Sequence, residues 1–334
     1  MSVHLTPPPD DLAALLERFV GKRIVVVGDV VLDEYLVGRA TRLSREAPVP
    51  VLELVERSWR PGAGANPAAN VASLGGTPVM VGVIGGDTPG QRLRAELDRA
   101  GVDASGLVES ADRSTAIKTR ILATHASAHP QQVARIDDLP PAELLPDVEA
   151  ELVSRMEALV PHADAVLASN YRGGVVTPRV VGAIVAAARQ HRIPTCVDTQ
   201  GDLLSFRGFT VVKSNQPDAE AALGERLRTE ADFARTGSRL VQELGASHAV
   251  ITRGADGMSA IDAGGRHTHL EPANRTEVWD VTGAGDTVIA VLALGLAAGI
   301  ELVTAAQLAN VAAGLVVRRI GVATVTPAEL LAAL

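Results

Sequence analysis

The sequence predicts an α/β fold: an open, mainly parallel sheet with helices on both faces, interrupted by a small second sheet. Two observations carry the main sheet. The stretch Arg23-Ile24-Val25-Val26-Val27-Gly28-Asp29 reads as a strand buried on both sides and ending in Gly-Asp. Comparable apolar runs recur at 78–84, 163–169, 195–198 and 209–213, with helical patterns between them. A third observation adds the second sheet: residues 36–60 and 103–135 are β-rich, punctuated by Pro or Gly, and have no helical period.

Composition narrows the function classes. The chain of 334 residues is 47% hydrophobic but only 2% aromatic, so a sizeable core must be built from Ala, Val, Leu and Ile. A net charge of −8, with Lys and Arg scattered, argues against nucleic acid and anionic membrane as partners. The single cysteine, Cys196, excludes an internal disulfide and a cysteine metal cluster, and its apolar flanks place it in the core. With no signal-peptide pattern at the N-terminus and no charge-free run of spanning length, a cytoplasmic protein is expected.

Residues 1–9 read as a loose leader, and Asp10 as the cap of a helix over Asp11–Val20 with Leu12, Leu15, Leu16 and Phe19 on one face. The first strand delivers Asp29, and shortly after it Asp33, to a carboxyl end, where open α/β sheets gather ligands. Such a pair holds a metal or a polyol, or is a turn acid beside a solvated one. Gly62 and Gly64 precede a helix through Leu74 that Gly75-Gly76 ends; a dinucleotide Gly-x-Gly-x-x-Gly is not completed. After the strand Pro78–Ile84 comes an amphipathic helix, Thr88–Ala100. Lys118, Arg120 and Arg135 lie on the following strands, either guarding an edge or lining a pocket for a substrate phosphate. His125 and His129 read as solvent-facing residues of a hairpin tip, not metal ligands. Further on, helices are expected over Pro140–Pro161, Thr177–His191 and Thr229–Leu244, and a strand-turn-strand over Ala249–Met258.

The most informative stretch is Glu277-Val278-Trp279-Asp280-Val281-Thr282-Gly283-Ala284-Gly285-Asp286-Thr287, followed by the apolar run Val288–Ile300. It reads as a buried helix whose first turn is Gly283–Asp286. A helix start carries unpaired N–H groups and a partial positive charge, which makes it an anion site that glycines let a ligand approach. A carboxylate beside such a site is poorly placed to bind the anion and well placed to take a proton from an attacking hydroxyl. The plainer alternative is a tight turn whose acid complements the helix dipole.

Asp280-Val281-Thr282-Gly283-Ala284-Gly285-Asp286 is similar to the C-terminal signature of the ribokinase-like (PfkB) sugar kinases, and the segments around Gly28–Tyr35 and Gly62–Asn66 resemble the family's sugar-contact regions. Within it, Thr41-Arg42-Leu43-Ser44-Arg45-Glu46-Ala47-Pro48-Val49-Pro50-Val51 resembles the heptose-7-phosphate kinases, Leu43 and Arg45 being the differences. The resemblance covers Val25 to about Glu329. It implies one ribokinase-like kinase domain over 1–334, with a β-sheet lid from segments near 34–60 and 104–137 that also mediates a homodimer. It implies ATP-dependent phosphorylation of a sugar or sugar phosphate, best D-glycero-D-manno-heptose 7-phosphate at its anomeric hydroxyl. No Walker A pattern is present, which excludes a P-loop kinase.

The resemblance also implies the site. Asp286 is the base, and Gly283, Ala284 and Gly285 supply the anion hole. Asp29, Asp33, Gly62 and Asn66 hold the acceptor, with Lys118, Arg120 and Arg135 for its phosphate. Asn215, Thr252, Arg253, Gly254, Gly257 and Asn310 hold ATP. Asp218 and Glu220 order Mg²⁺ through water, and Asp280 and Thr282 flank a monovalent cation such as K⁺. Asn170, Gln200 and Asp218 depart from the heptose-kinase pattern, at an acid, a Lys and a Glu respectively, and Arg172 stands at or near a usual Lys. The alternatives are another sugar, sugar phosphate or nucleoside as acceptor, or a binding protein of the same fold without turnover.

Overall fold

Apolar side chains alternate along the strands, and this alternation builds two cores. The computed structural model describes residues 9–125, 128–274 and 278–333. Residues 1–8 of the expected leader and the side chains of His125 and His129 lie outside the described residues, and Pro9 is already helical. From the N-terminus the elements are α1 (Pro9–Glu17), β1 (Arg23–Gly28), β2 (Val30–Leu43), β3 (Pro50–Ala63), α2 (Ala65–Ser73), β4 (Thr77–Gly85), α3 (Thr88–Arg99) and β5 (Leu107–Ser110). Next are β6 (Ala116–His125), β7 (Ala128–Asp138), α4 (Pro146–Leu159), β8 (Ala165–Asn170), α5 (Pro178–His191), β9 (Thr195–Thr199), β10 (Val211–Asn215), α6 (Gln216–Leu223) and α7 (Glu230–Leu244). The chain closes with β11 (His248–Thr252), β12 (Met258–Asp262), β13 (His267–Leu270), α8 (Ala284–Ala297), α9 (Leu302–Val316) and α10 (Pro327–Ala333).

Nine strands form the large sheet in the order β13-β12-β11-β10-β9-β8-β1-β4-β5. Strands β5 to β11 within that order run parallel, and β12 and β13 extend it antiparallel. On β1, Ile24 and Val26 face one core while Val25 and Val27 face the other. The first core takes α1, α2, α3, α8, α9 and α10, and the second takes α4 to α7. Both are aliphatic, and Phe19, Phe206 and Phe209 are the aromatic side chains among the largest fully buried ones. Helix starts follow their sequence signals: Asp87 caps α3, Thr177 caps α5, and Thr229 with Asp232 forms a capping box on α7.

The second sheet has the order β3-β2-β6-β7. Its first strand begins at Val30, directly after the end of β1, so the acids expected at a strand end lie on a continuous path from one sheet into the other. Residues 107–110, inside the stretch expected to belong to the lid, instead pair with β4 in the large sheet. Helix α4 starts at Pro146 and not at Pro140; a residue before proline is pushed out of helical geometry, and Leu145 is extended (φ −65°, ψ 144°). Strand β13 has no sequence signal, because His-Thr-His-Leu carries no apolar alternation. Among the described residues no helix is long and apolar enough to cross a membrane.

Helix α8 lies between α2 and α9 and is buried from Asp286 to Gly295. Truncating its fully buried Leu292 removes packing on all sides. Leu292→Ala is expected to cost about 2–5 kcal/mol of unfolding free energy, read from urea denaturation.

Candidate active site

The strand order reverses at β1: the chain moves from β1 to β4 and β5 on one side, and from β8 to β11 on the other. Such a switch point opens a crevice at the carboxyl ends of the strands. Here it is closed at its base by Asp29, whose carboxylate accepts the backbone N–H groups of Tyr171 (2.7 Å), Gly173 (2.9 Å) and Val175 (2.9 Å). Asp29 was expected to contact the acceptor. In the structure its carboxylate binds the backbone of the 170–175 loop, and so braces the site.

Helix α8 points its N-terminus into this crevice. Gly283 caps it in the left-handed region (φ 81°), and a Cβ there would lie 2.8 Å from the Asn66 amide nitrogen. Asp286, in the first turn, is 3% exposed. Asn66 donates to its Oδ2 at 2.7 Å and the Tyr171 hydroxyl to its Oδ1 at 2.7 Å. Asn66 is held in turn: Asn70 donates to its Oδ1 and its carbonyl, and Thr287 donates to Asn70. Burial lifts the Asp286 carboxyl to about 7; the bonds from Tyr171 and Asn66 work against that rise, Asp198 adds to it and Lys213 opposes it. Burial and the neighbouring Asp286 push the Tyr171 hydroxyl well above its usual range, which keeps it a donor. Lys213 and Asp198 form an ion pair of 2.6 Å under the same turn, and a Cβ on Gly285 would meet the Lys213 ammonium at 2.7 Å.

The second sheet faces the crevice with Asp33, Lys118 and Arg120, residues that the β2–β6 register sets side by side. Arg120 pairs with Asp33 at 2.5 Å and stacks over Tyr35. Gly62 lets that carboxylate lie against the backbone of β3, since a Cβ there would sit 2.5 Å from Asp33 Oδ2. Arg135 is turned to Asp137 on its own strand, with Nε and one Nη engaged. Lys118 stands over the Tyr171 ring, 5.7 Å from its centre. The expected basic trio is thus one pocket-facing lysine and two arginines already paired.

From Asp286 a cleft of about 1200 Å³ runs between the β9–β11 strand ends and α9. It is lined by the expected Asn215, Thr252, Arg253, Gly254, Gly257, Gly283, Ala284, Gly285 and Asn310, with Val278, Val281, Ala313 and Val317 as apolar wall. Asn310 donates to the Glu271 carbonyl at 2.6 Å. Three expectations change. Arg253 is locked to Glu230 by two bonds (2.8 and 3.0 Å) and stacked on Phe233, so it holds the cleft wall and is not a free phosphate ligand. Glu220 spends its carboxylate on the Leu227 N–H, Gln216 and Arg226, outside the cleft. Asn215 caps α6 by accepting the Asp218 N–H, and Asp218 is likewise outside the lining. Among the described residues no group of three or more His, Cys, Asp or Glu is arranged to hold a metal. Asp280 accepts from the N–H groups of Thr282 (2.9 Å) and Gly321 (2.8 Å); burial acts to raise its carboxyl, but these bonds hold it below the usual carboxylate range.

Three residues outside the expected set also belong to the site: Tyr171, Asp198 and Lys213. Tyr171 and Asp198 sit in the two segments in which Asn170 and Gln200 depart from the heptose-kinase pattern. Lys213 lies in the middle of the buried strand β10, and a lysine in such a run is itself the signal.

The pfkB family carbohydrate kinase profile matches residues 22–329. The chain is 41% identical over 311 residues to the bifunctional protein HldE of Geobacter sulfurreducens, covering 93% of this chain and 62% of that protein. It is 40% identical to HldE of Caulobacter vibrioides, covering 97% of this chain and 65% of the relative. The chain therefore spans just under two thirds of the length of these relatives. Among solved structures, Escherichia coli phosphofructokinase-2 in complex with substrates and products superposes with a TM-score of 0.74 at 20% identity, over 93% of this chain and 97% of that one. Arabidopsis thaliana ribokinase complexed with ribose and ATP superposes with a TM-score of 0.72 at 18% identity, over 94% and 98%.

The buried Asp286 makes a stability prediction. Its folded carboxyl titrates near 7 against an ordinary 3.8. The protonated group's contribution is fully present below the unfolded value and is lost as pH rises through the folded one. Asp286→Asn removes the titration. Its melting temperature relative to the unsubstituted protein is expected to rise from about pH 4 to about pH 7 and level off above, with about 4 kcal/mol as the ceiling for the effect.

Proposed function

The chain belongs to the pfkB family of carbohydrate kinases and is an ATP-dependent kinase, and within that family we propose that its acceptor is a phosphorylated sugar, best D-glycero-D-manno-heptose 7-phosphate, phosphorylated at the anomeric hydroxyl. The observation that supports the mechanism is Asp286: a buried carboxylate, oriented by two donors, in the first turn of a helix that opens onto a long cleft. The acceptor choice rests on the HldE relatives and on Lys118, which faces the site with no carboxylate paired to it among the described contacts.

ATP lies along the cleft, its base against the apolar wall near Asn310 and its phosphates toward α8. The N–H groups at Gly283–Gly285 stabilise the transferring phosphoryl group, in a setting where removing one such donor costs about 3–4 kcal/mol of barrier. Asp286 accepts the proton of the attacking hydroxyl; a carboxyl titrating near 7 is matched to that task at neutral pH. Asp33 and Asn66 orient the acceptor. Asp218 and Glu220, the acids expected to order magnesium, stand outside the cleft lining, so no side chain is assigned to it; a magnesium ion entering with the nucleotide would neutralise phosphate charge. Asp280, kept ionised beside Thr282, fits a monovalent cation. The second sheet exposes Leu54, Val55 and Ile136, a surface consistent with pairing to a second copy, and the proposed ATP-dependent reaction is in keeping with a cytoplasmic location.

ADP release with Mg-ATP is to be measured against heptose 7-phosphate, fructose 6-phosphate, ribose, fructose and nucleosides. A preference of at least about tenfold in kcat/KM for heptose 7-phosphate, or 1.4 kcal/mol, is expected; preference for an unphosphorylated acceptor would return Lys118 to a structural role. Asp286→Asn is expected to lose turnover by at least about a hundredfold while ATP binding, followed by calorimetry, stays within a factor of about two. Lys118→Gln is expected to raise KM for the phosphorylated acceptor about tenfold or more and to leave KM for ATP unchanged.

A further inference from the structure

Asp286 cannot take a proton unless it is ionised and turned correctly, and its burial opposes the first requirement. Two groups answer it. Asn66 comes from α2, and Tyr171 from the loop after β8. They differ in how they are fixed. Tyr171 is held at its backbone by Asp29, which accepts its N–H at 2.7 Å. Two residues along, Arg113 donates to the Gly173 carbonyl at 2.6 Å. The ring is flanked by the Lys118 ammonium at 5.7 Å. A side chain anchored in this way presents its hydroxyl to one place, and that place is Asp286 Oδ1.

We propose that Tyr171 is a positioning residue for the base: its hydroxyl, donated to Asp286 Oδ1, keeps that carboxylate ionised and turned so that the remaining lone pairs meet the acceptor hydroxyl. The inference rests on reading Asp286 as the base. A carboxylate oxygen accepts more than one hydrogen bond, so Tyr171 and Asn66 each occupy one lone-pair direction and leave room for the substrate. The charged and titratable groups around the pair are Asp198 on β9 and Lys213 on β10 beneath Asp286, and Lys118 on β6 and Asp33 on β2 on the side of Tyr171. The Asp198–Lys213 ion pair at 2.6 Å offsets its own charge, so the nearest contributions are the Tyr171 hydroxyl and the Asn66 amide, each at 2.7 Å.

The test is the pH profile of kcat for Tyr171→Phe, with whichever acceptor in the panel turns over, alone and combined with Asp286→Asn. Loss of the hydroxyl is expected to move the acidic limb upward by about one pH unit. The rate then falls about tenfold below the limb and only a few-fold above it, with KM for ATP unchanged. In the Asp286→Asn background the same substitution is expected to change the residual rate less than about twofold. An unmoved limb, whether the rate is intact or uniformly reduced, overturns the proposal. So does a full additional loss in the Asp286→Asn background. Incorporation of 3-fluorotyrosine, which makes the hydroxyl a stronger donor and preserves the ring, is expected to move the limb downward; no movement or an upward one also overturns it. The base assignment is read separately, from Asp286→Asn alone.

Discussion

A carboxylate that must stay chargeable in a nearly dry place sets the terms for the rest of this molecule. Asp286 is 3% exposed, and an isolated charge there would be strongly disfavoured. Its two donors come from residues 220 and 115 positions away in the chain. No local segment supplies them. The base exists only once α2, the end of β8 and the start of α8 have been brought together, so its chemistry is conditional on the tertiary fold. The Asn66–Asn70–Thr287 chain makes the dependence mutual, because Thr287 follows Asp286 on the same helix.

The switch point is what brings those three segments to one place. Opposite directions of winding part α2 from the helices behind β8, and the gap would be open to water. Asp29 closes it by binding three alternate amides, those of Tyr171, Gly173 and Val175, in the loop after β8. A buried carboxylate with three backbone donors satisfies groups that would otherwise each cost about 1–3 kcal/mol. The same bonds fix where Tyr171 stands. One acid near the end of β1 thus positions a second acid at the start of α8, and neither needs to touch the other.

The layers of the fold were legible because period and composition agree along most of the chain: the alternating β1, the capped α3, α5 and α7, and the apolar α8 and α9 all read directly. The helix start at Gly283–Asp286 and the cleft residues from Asn215 to Asn310 were legible as well, since each sits in a short local pattern. What a sequence pattern does not carry is which partner claims a polar group. Arg253, Arg120, Arg135 and Glu220 all read as ligand contacts, and each is engaged by a protein group instead. Asp29 reads as a sugar contact for the same reason. Tyr171 was hidden because its role is defined by Asp286 and Asp29, both more than a hundred residues distant.

The departures at Gln200, Asn170 and Asp218 need not weaken the site. Gln200 stands where a heptose kinase would place a lysine, yet Lys213 on the neighbouring strand already brings an ammonium beneath the first turn of α8. Asp198 partners that ammonium, so little net positive charge is left for a phosphate, and in the proposed mechanism the anion hole leans on the backbone amides of α8. Those amides are fixed by the helix and need no reorganisation as charge develops, which is the property that makes such donors effective. Asn170 keeps its amide on Thr199 and accepts the Arg172 N–H, holding the turn that presents Tyr171 without adding another negative charge beside Asp286. An acid at that position would raise the cost of ionising the base; an amide there makes the same turn and avoids it.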